Sequence, residues 1–287
     1  MTQAAEPSGT NALSLRLTGL DALMADGEGD PAVTVAVIDG PADGRHPALS
    51  PTAPSSCRSP TSPACLHGTF VLGMLAAARG SGAPAICPGC TFVSRPVLCE
   101  PVPGQLCPET TPAALAEAVE DCLAAGARVI NISLGLATPI LQRSPAFDAA
   151  IDHARDRGVV VITAAGNHGR IGPAPLMAHP WLVPVAACDA QGRLRSPSNL
   201  GIGIGRRGLL APGLDIVSTA PRGEHARMSG TSVAAPFVTG AAALLWSLRP
   251  ALPAARIRAA LLRPDAARRS IVPPRLDATA ARRTLGL

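Results

Sequence analysis

Three polar residues of this chain, Asp39, His67 and Ser232, each stand at one end of an apolar run. Asp39 ends the β-branched run that starts at Val33, whereas His67 and Ser232 each open a run of small and apolar residues. A hydroxyl nucleophile, an imidazole base and a carboxylate that orients the base are the groups that acyl transfer needs. Each residue alone has an ordinary explanation, as a turn residue or a helix cap, but the three together predict a catalytic triad.

We expect Asp39 to orient His67. In open α/β sheets functional groups gather at the carboxyl ends of the strands, where Asp39 would lie. Asp43 is a competing carboxylate, but it falls in the loop that follows. Of the six histidines, His67 alone is followed by Gly-Thr and an apolar helical run, so we expect it at the start of a helix, as the general base. The other histidines are expected on the surface or in loops.

Ser232 is the expected nucleophile, at the N-terminus of a long apolar helix predicted over Thr231 to Leu248. The free N–H groups and the positive dipole end of such a helix favour an oxyanion. An ordinary N-cap is the alternative for Ser232, and Ser229 and Thr231 qualify for it equally. Asn167 follows a predicted strand, and we expect its amide to donate to the oxyanion; the alternative is a turn residue in the left-handed conformation.

Short β-branched runs alternate with helical runs along the chain. This alternation predicts an α/β fold, a three-layer α/β/α sandwich with a mostly parallel central sheet. Strands are predicted at Val33 to Ile38, Thr91 to Leu98, Arg128 to Leu134, Val159 to Thr163, Leu182 to Ala187 and Gly213 to Ser218. Helices are predicted at His67 to Ala78, Pro112 to Ala125, Pro145 to Arg157, Thr231 to Leu248 and Ala254 to Leu262. We expect one domain over 1–287, with a core at about 33–248, an N-terminal extension over 1–32 and a C-terminal helix and tail over 249–287.

The composition is that of a globular protein, with 47% hydrophobic and 16% charged residues. Aromatic residues make up only 2% of the chain, which argues against base stacking and so against nucleic-acid binding. The net charge of +5 comes from arginines that are mostly scattered, which we interpret mainly as a solvated surface. Neither a signal peptide nor a clean apolar run of about 18 residues is visible, so we expect a cytoplasmic protein without a membrane partner.

The eight cysteines leave three interpretations open: local disulfides, free thiols and a zinc site. Two pairs each enclose a short Pro-rich loop that a disulfide would close: Cys57 with Cys65, and Cys99 with Cys107. A cytosolic location would instead keep these thiols reduced. Cys87 and Cys90 have the C-x-x-C spacing of redox motifs and of zinc half-sites. We predict no metal and no cofactor.

Three further patterns are interpreted as coincidental. Gly203 to Gly208 matches G-x-G-x-x-G, but no strand is predicted before it and no helix after it, so dinucleotide binding is not expected. Asn131 begins a glycosylation sequon, but inside a predicted buried strand. Asp26, Glu28 and Asp30 are oxygen ligands of the kind calcium takes, and a solvated loop is the preferred interpretation.

The segments around these residues resemble the subtilisin-like serine proteases, the subtilases. The resemblance rests on V-A-V-I-D-G, H-G-T, A-A-G-N and G-T-S-x-A-A-P, and it covers roughly Val33 to Leu248. It implies a subtilisin-like fold and a serine endopeptidase that acts on peptides or unfolded proteins. It also implies Asp39, His67 and Ser232 as the triad, in the chain order of subtilisin, with Asn167 as the oxyanion donor.

The resemblance further implies a substrate-binding surface. An extended peptide would pair with the segment Ser133, Leu134 and Gly135. The wall of a pocket for a substrate side chain would be formed by Ala164, Ala165 and Gly166. Two positions depart from the family, because Phe70 and Phe237 stand where histidines are usual, and we expect both to face the interior. The 38 residues before Asp39 are fewer than the usual inhibitory pro-domain needs, which fits an intracellular enzyme.

Within the family, the sequence motif D-G-P-x-D…H-P between Asp39 and Pro47 is most similar to that of the cyanobactin-maturation proteases. Those proteases cut ribosomally made precursor peptides. This similarity implies such a precursor as the substrate. No macrocyclase insertion is evident, so we expect hydrolysis. The alternatives are a broad degradative subtilase, a non-catalytic peptide-binding member of the fold, and a thiol-based metal or redox protein that uses Cys87 and Cys90.

Overall fold

The computed structural model describes residues 9–50, 53–54, 56–100, 110–134, 143–194, 197–262 and 269–287. The main sheet consists of β1 (Thr34–Asp39), β2 (Thr91–Pro96), β3 (Val129–Ile132), β4 (Val160–Ala164), β5 (Val183–Cys188) and β6 (Leu209–Pro212). Its order is β2-β1-β3-β4-β5-β6, and every neighbouring pair is parallel. The carboxyl ends of these strands therefore lie along one edge, which we call the carboxyl edge.

Helices cover both faces of this sheet. They are α1 (Gly9–Thr18), α2 (Leu20–Ala25), α3 (Pro63–Ala76), α4 (Pro112–Ala124), α5 (Pro145–Asp156), α6 (Ile202–Arg207), α7 (Thr231–Leu248), α8 (Ala254–Leu262) and α9 (Ala278–Thr284). The alternation of side chains along β1 places Val35 and Val37 in a core with α2, α3, α7 and α8, and Ala36 and Ile38 in a second core with α4 and α5. The predicted three-layer α/β/α sandwich is confirmed.

Helix α7 lies in the first core and has the predicted bounds. It is long and apolar enough to cross a membrane, but 89% of it is buried inside the protein. A helix that is apolar on all sides and enclosed by its own chain is typical of a protein core. Phe237 on this helix and Phe70 on α3 are both fully buried, as expected from the sequence.

The predicted strand at Gly213 to Ser218 is wrong in its bounds and in its place. The strand is β7 (Ile216–Ala220), and it pairs antiparallel with β8 (Glu224–Met228) in a separate two-stranded sheet. The last strand of the main sheet is β6, which is not predicted from the sequence. β6 has four residues and ends in Pro212, so it lacks the β-branched run that identified the other strands.

The segments expected as an extension and a tail both carry helices that pack on the core. Asn11 of α1 is buried, and its side chain accepts the Val217 N–H at 3.1 Å and donates to the Val217 carbonyl at 2.9 Å. At the other end α9 begins at Ala278, with Asp277 as its N-cap residue. The G-x-G-x-x-G segment also overlaps a helix that was not predicted, α6, which is six residues long and has Gly208 as its C-cap residue.

Candidate active site

Asp39 and His67 are brought together by a close approach of two backbones. Asp39 ends β1 at the carboxyl edge, and Gly40 follows it. A Cβ on Gly40 would clash with the backbone of Ala64 in α3, and a Cβ on Gly68 would clash with the carbonyl oxygen of Gly40. Because neither position has room for a side chain, the two glycines let α3 pack directly on the chain that leaves β1.

Helix α3 begins at Pro63, so His67 lies in its second turn. The predicted position of His67 at the start of the helix is wrong. Ser62 is the N-cap residue, and its hydroxyl accepts the Cys65 N–H at 3.0 Å. Proline at the first helical position completes a recognised start signal. The sequence does not reveal this start because Ser62 and Pro63 end a stretch rich in serine and proline, which carries no helical pattern.

The structure places Asp39, His67 and Ser232 in one hydrogen-bonded chain. His67 Nδ1 lies 2.6 Å from Asp39 Oδ1, and His67 Nε2 lies 2.9 Å from Ser232 Oγ. Asp39 Oδ1 also accepts the Gly40 N–H at 2.5 Å. The Asp39 side chain is 1% exposed and the His67 side chain 23% exposed, so the carboxylate is enclosed while the imidazole reaches solvent. A base in this arrangement can take the Ser232 proton.

Two opposing effects act on the pKa of His67. Burial favours the neutral imidazole and lowers the pKa, whereas the charge and the hydrogen bond of Asp39 raise it. The net pKa lies above the ordinary histidine value of about 6.5. The carboxylate therefore stabilises the imidazolium, which is the form that a general base takes once it has accepted a proton.

Ser232 is the second residue of α7 and is 8% exposed. The N-cap residue is Gly230, with a φ of 151° and no side chain to accept the first N–H groups of the helix. Ser232 is thus inside the helix and is not its N-cap. The positive end of the helix dipole lies beside the Ser232 hydroxyl.

Asn167 lies beside Ser232 and is tied to the start of α7. Its Oδ1 accepts the Thr231 N–H at 2.9 Å, which leaves Nδ2 as the donor of this amide. A Cβ on Gly230 would lie 3.2 Å from Asn167 Nδ2 and 3.5 Å from Ser232 Oγ, so both groups border the same glycine. The Thr231 hydroxyl accepts the Gly166 N–H at 3.1 Å. From the sequence Thr231 is expected only as a possible cap, although its place beside Ser232 is a signal for this supporting role.

The two predicted substrate-binding segments are neighbours at the carboxyl edge. Ser133 and Leu134 follow β3, and Ala164 to Gly166 lie at and after the end of β4, its partner in the sheet. Gly135 lies outside the described residues. The Ser133 hydroxyl is buried and donates to the Ser232 carbonyl at 3.0 Å. The side chain of Ser133 therefore faces α7, and only its backbone is left to meet a peptide.

Of the three interpretations left open for the cysteines, the local disulfide is the one that applies to Cys57 and Cys65, which are bonded to each other. Cys107 lies outside the described residues, so the bond considered between it and Cys99 is not tested. Cys87 and Cys90 are free and buried. Within the described ranges, the one group of three potential metal ligands is Cys57, Cys65 and Glu100, in which the disulfide occupies both sulfur atoms. Nothing in these ranges supports a zinc site at Cys87 and Cys90.

The acidic residues considered for calcium do not converge on one point. Asp26 forms an ion pair with Arg282 at 3.2 Å. Glu28 lies 4.0 Å from the Arg79 guanidinium, and the Asp30 side chain accepts the backbone N–H two residues further on. Each of these carboxylates has a separate protein partner, and the partner of Asp26 lies on α9.

The Subtilase family model matches residues 30–278, so the chain belongs to the subtilase family. Subtilisin NAT of Bacillus subtilis subsp. natto and Subtilisin of Bacillus pumilus are each 33% identical to it over 246 residues, 83% of this chain. The match spans 61% of the length of subtilisin NAT and 85% of the Bacillus pumilus protein. The predicted family is confirmed.

Solved structures of maturation proteases resemble the chain over most of its length. The prenylagaramide maturation protease PagA superposes with a TM-score of 0.78 at 29% identity, covering 93% of this chain and 98% of PagA. The protease domain of PatA gives a TM-score of 0.78 at 31% identity, covering 90% of this chain and 97% of the PatA domain. The PatG macrocyclase domain gives 0.80 at 22% identity, covering 99% of both chains, and at that identity it shows the shared fold alone. The predicted resemblance to the maturation-protease branch is confirmed.

Proposed function

We propose that the protein is a serine endopeptidase in which Ser232 is the nucleophile, His67 the general base and Asp39 the carboxylate that orients the base. The observation that carries the proposal is the continuous chain from Asp39 Oδ1 through both His67 nitrogens to Ser232 Oγ, with distances of 2.6 and 2.9 Å. Both distances are within reach of proton transfer. Membership of the subtilase family supports the same activity.

The reaction follows from this geometry in two halves. Ser232 Oγ attacks the carbonyl carbon of the scissile bond while His67 Nε2 takes the hydroxyl proton and passes it to the leaving amine, which produces an acyl-enzyme. Water then attacks the ester, and His67 takes one of its protons and returns it to Ser232 Oγ as the carboxylic acid leaves. In each half Asp39 stabilises the transient imidazolium.

We propose Asn167 Nδ2 and the Ser232 N–H as the donors to the oxyanion. The Thr231 N–H holds the Asn167 amide in place before substrate arrives. Donors that are oriented in the free enzyme need no rearrangement when negative charge develops on the substrate oxygen. The uncapped start of α7 adds the positive end of its dipole.

We propose that an extended peptide lies against the segments that follow β3 and β4. Ile132 and Thr163 are paired in the sheet just before these segments, so the segments start side by side. The backbone of Ser133 to Gly135 would pair with the peptide, and Ala164 to Gly166 would form the wall of the pocket for its side chain. Because the Ser133 hydroxyl is bonded to the Ser232 carbonyl, the peptide would be bound at Ser133 through backbone hydrogen bonds.

For the natural substrate we propose a ribosomally made precursor peptide. The support is the likeness to PagA, a prenylagaramide maturation protease, and to PatA, a patellamide maturation protease, over at least 90% of this chain. The second candidate is broad degradation of unfolded proteins, which the 33% identity to subtilisin NAT and to the Bacillus pumilus subtilisin supports.

The purified chain should be incubated with unfolded casein and with a panel of synthetic precursor peptides, beside a Ser232→Ala variant. Cleavage at one or two sites of a precursor, with casein intact, would support maturation. Fragmentation of casein at many sites would support the degradative candidate. A folded chain that binds peptides and cleaves none of them would overturn the endopeptidase proposal in favour of a peptide-binding protein.

The single-domain organisation and the cytoplasmic location stay predictions. Limited proteolysis that leaves one stable fragment containing residues 33–248 would support the first. Fractionation of the source cells, with the chain followed by antibody, tests the second.

A further inference from the structure

Helix α7 contains a proline at its sixth position, Pro236. In an α-helix the N–H of each residue donates to the carbonyl four residues earlier. Proline has no N–H, so the carbonyl four residues before Pro236 loses its regular donor. That carbonyl belongs to Ser232, the proposed nucleophile.

A side chain from the sheet replaces the missing donor. The Ser133 hydroxyl, just after β3, donates to the Ser232 carbonyl oxygen at 3.0 Å, and both residues are buried. A buried carbonyl without a partner is destabilising, so this bond satisfies a requirement that Pro236 creates.

Two more side chains fix the direction of the Ser133 hydroxyl. Asn131 Nδ2 donates to Ser133 Oγ at 2.7 Å, so the Ser133 proton is directed at the Ser232 carbonyl. Thr239 Oγ1 donates in turn to Asn131 Oδ1 at 2.8 Å. Thr239 lies on α7 about two turns after Ser232, so the chain of bonds begins and ends on the same helix. Asn131, Ser133 and Thr239 are all fully buried.

We infer that Ser133, oriented by Asn131 and Thr239, is a positioning residue that holds Ser232 in place against His67. The inference rests on the proposed function. The bond holds the backbone of the nucleophile itself, at the point where Pro236 has removed the usual helical restraint. The distance that depends on it is the 2.9 Å between Ser232 Oγ and His67 Nε2. A misplacement of about 1 Å between reacting groups costs on the order of 10²-fold in rate.

A merely structural Ser133 would behave differently. Its loss would lower the stability of the fold and leave the chemistry of the folded enzyme unchanged. A positioning Ser133 sets the rate at which Ser232 reacts. The loss of rate on removing its hydroxyl then depends on whether residue 236 has an N–H, and this dependence is what the experiment measures.

The test is a double-mutant cycle between Ser133→Ala and Pro236→Ala. Each variant is assayed for the second-order rate of Ser232 labelling by a fluorophosphonate and for kcat and KM on a cleaved peptide. Ser133→Ala should lower the labelling rate and kcat about tenfold, with KM within about twofold, because a buried bond at the nucleophile is lost. Pro236→Ala supplies an N–H for the Ser232 carbonyl, so in that background Ser133→Ala should cost at most about threefold.

Ser247→Ala is the matched control. Ser247 also lies on α7, and its hydroxyl donates to the Ala243 carbonyl at 2.8 Å, far along the helix from Ser232. This variant should label and cleave at the parental rates. If Ser133→Ala does not fold, Thr239→Val takes its place in the cycle, with an expected loss of about threefold that Pro236→Ala removes.

Equal losses in both backgrounds, or parental rates for folded Ser133→Ala, would overturn the inference while leaving the endopeptidase proposal intact. A parent chain that is folded but is not labelled at Ser232 would instead overturn the proposed function, and the positioning role with it.

Discussion

Helices α3 and α7 are both apolar, and each carries one residue of the hydrogen-bonded chain, but they begin in opposite ways. α3 starts with the Ser62 cap and Pro63, and His67 lies one turn further in. α7 starts at Gly230 without a capping side chain and carries Ser232 at its second position. We call a helix start with a side-chain cap closed, and one whose N-cap residue has no capping side chain open. A closed start is stabilised by its cap, whereas an open start can direct an N–H group and the positive end of its dipole at an anion. The proposed base thus lies on a closed helix start and the proposed nucleophile on an open one.

The open start of α7 is supported from outside the helix. Asn167 accepts the Thr231 N–H, and Ser133 donates to the Ser232 carbonyl. α3 needs no such help at its first turn, since Ser62 accepts the Cys65 N–H within the same segment. Variants at the two helix starts should therefore separate effects on rate from effects on stability.

The largest effect is expected at the open start itself. Ser232→Ala should lower kcat by about 10⁶-fold, the size of loss known for the nucleophile of subtilisin, because no other group can form the acyl-enzyme. Activity on a cleaved peptide is the measurement, with the unfolding temperature as the control for folding. Residual activity above about one hundredth of the parent would contradict the assignment of Ser232.

The next effect concerns the base on the closed helix. Asp39→Asn should lower kcat by about 10⁴-fold, because the imidazole loses the partner that fixes its tautomer. Activity of the parent should fall as the pH drops through the pKa of His67, which Asp39 holds above about 6.5. In Asp39→Asn only the effect of burial acts on His67, so the pKa of His67 falls. The acid limb of the pH–rate profile therefore moves to lower pH. A limb that stays in place in pH–rate profiles would show that Asp39 does not control His67.

A smaller loss is expected where the open start is supported. Asn167→Ala should lower kcat by about 10²–10³-fold with little change in KM, the range known for the corresponding donor of subtilisin. The reason is that the amide acts on the oxyanion and not on the bound substrate. Steady-state kinetics on one peptide give both constants. A loss confined to KM would assign Asn167 to substrate binding.

The smallest effect on rate is expected at the closed start. Ser62→Ala should lower the free energy of unfolding by about 1 kcal/mol, as loss of an N-cap does, and leave kcat within about twofold. Thr111→Ala is the matched control, because Thr111 caps α4, a helix that carries none of the proposed catalytic residues, by accepting the Ala114 N–H at 3.1 Å. If kcat dropped tenfold in Ser62→Ala alone, the two helix starts would not differ as described.

The sequence predicts the elements that carry long, regular patterns. The bounds of α7 are read directly from its apolar run, and the Asp39, His67 and Ser232 motifs lead to three side chains that do meet. Helix α3 was placed too late because its cap lies in a Ser/Pro-rich loop. β6 was missed because four residues ending in proline carry no strand pattern.

Other features depend on contacts between segments far apart in the chain. The approach of Gly40 to Ala64 and of Gly68 to Gly40 has no signature in either segment alone. Asn131 reads as a glycosylation sequon until the structure shows it bonded to Ser133 and Thr239. Local pattern identifies reactive groups, and tertiary packing decides what holds them.

The most direct test of the central claim is the rate of fluorophosphonate labelling as a function of pH, with the adduct located by mass spectrometry. If Asp39, His67 and Ser232 act as one unit, the adduct forms on Ser232, and its rate rises with pH through a midpoint above about 6.5. Ser232→Ala then carries no adduct. A folded parent chain without an adduct, or with labelling of Ser232 that does not depend on pH, would contradict the account.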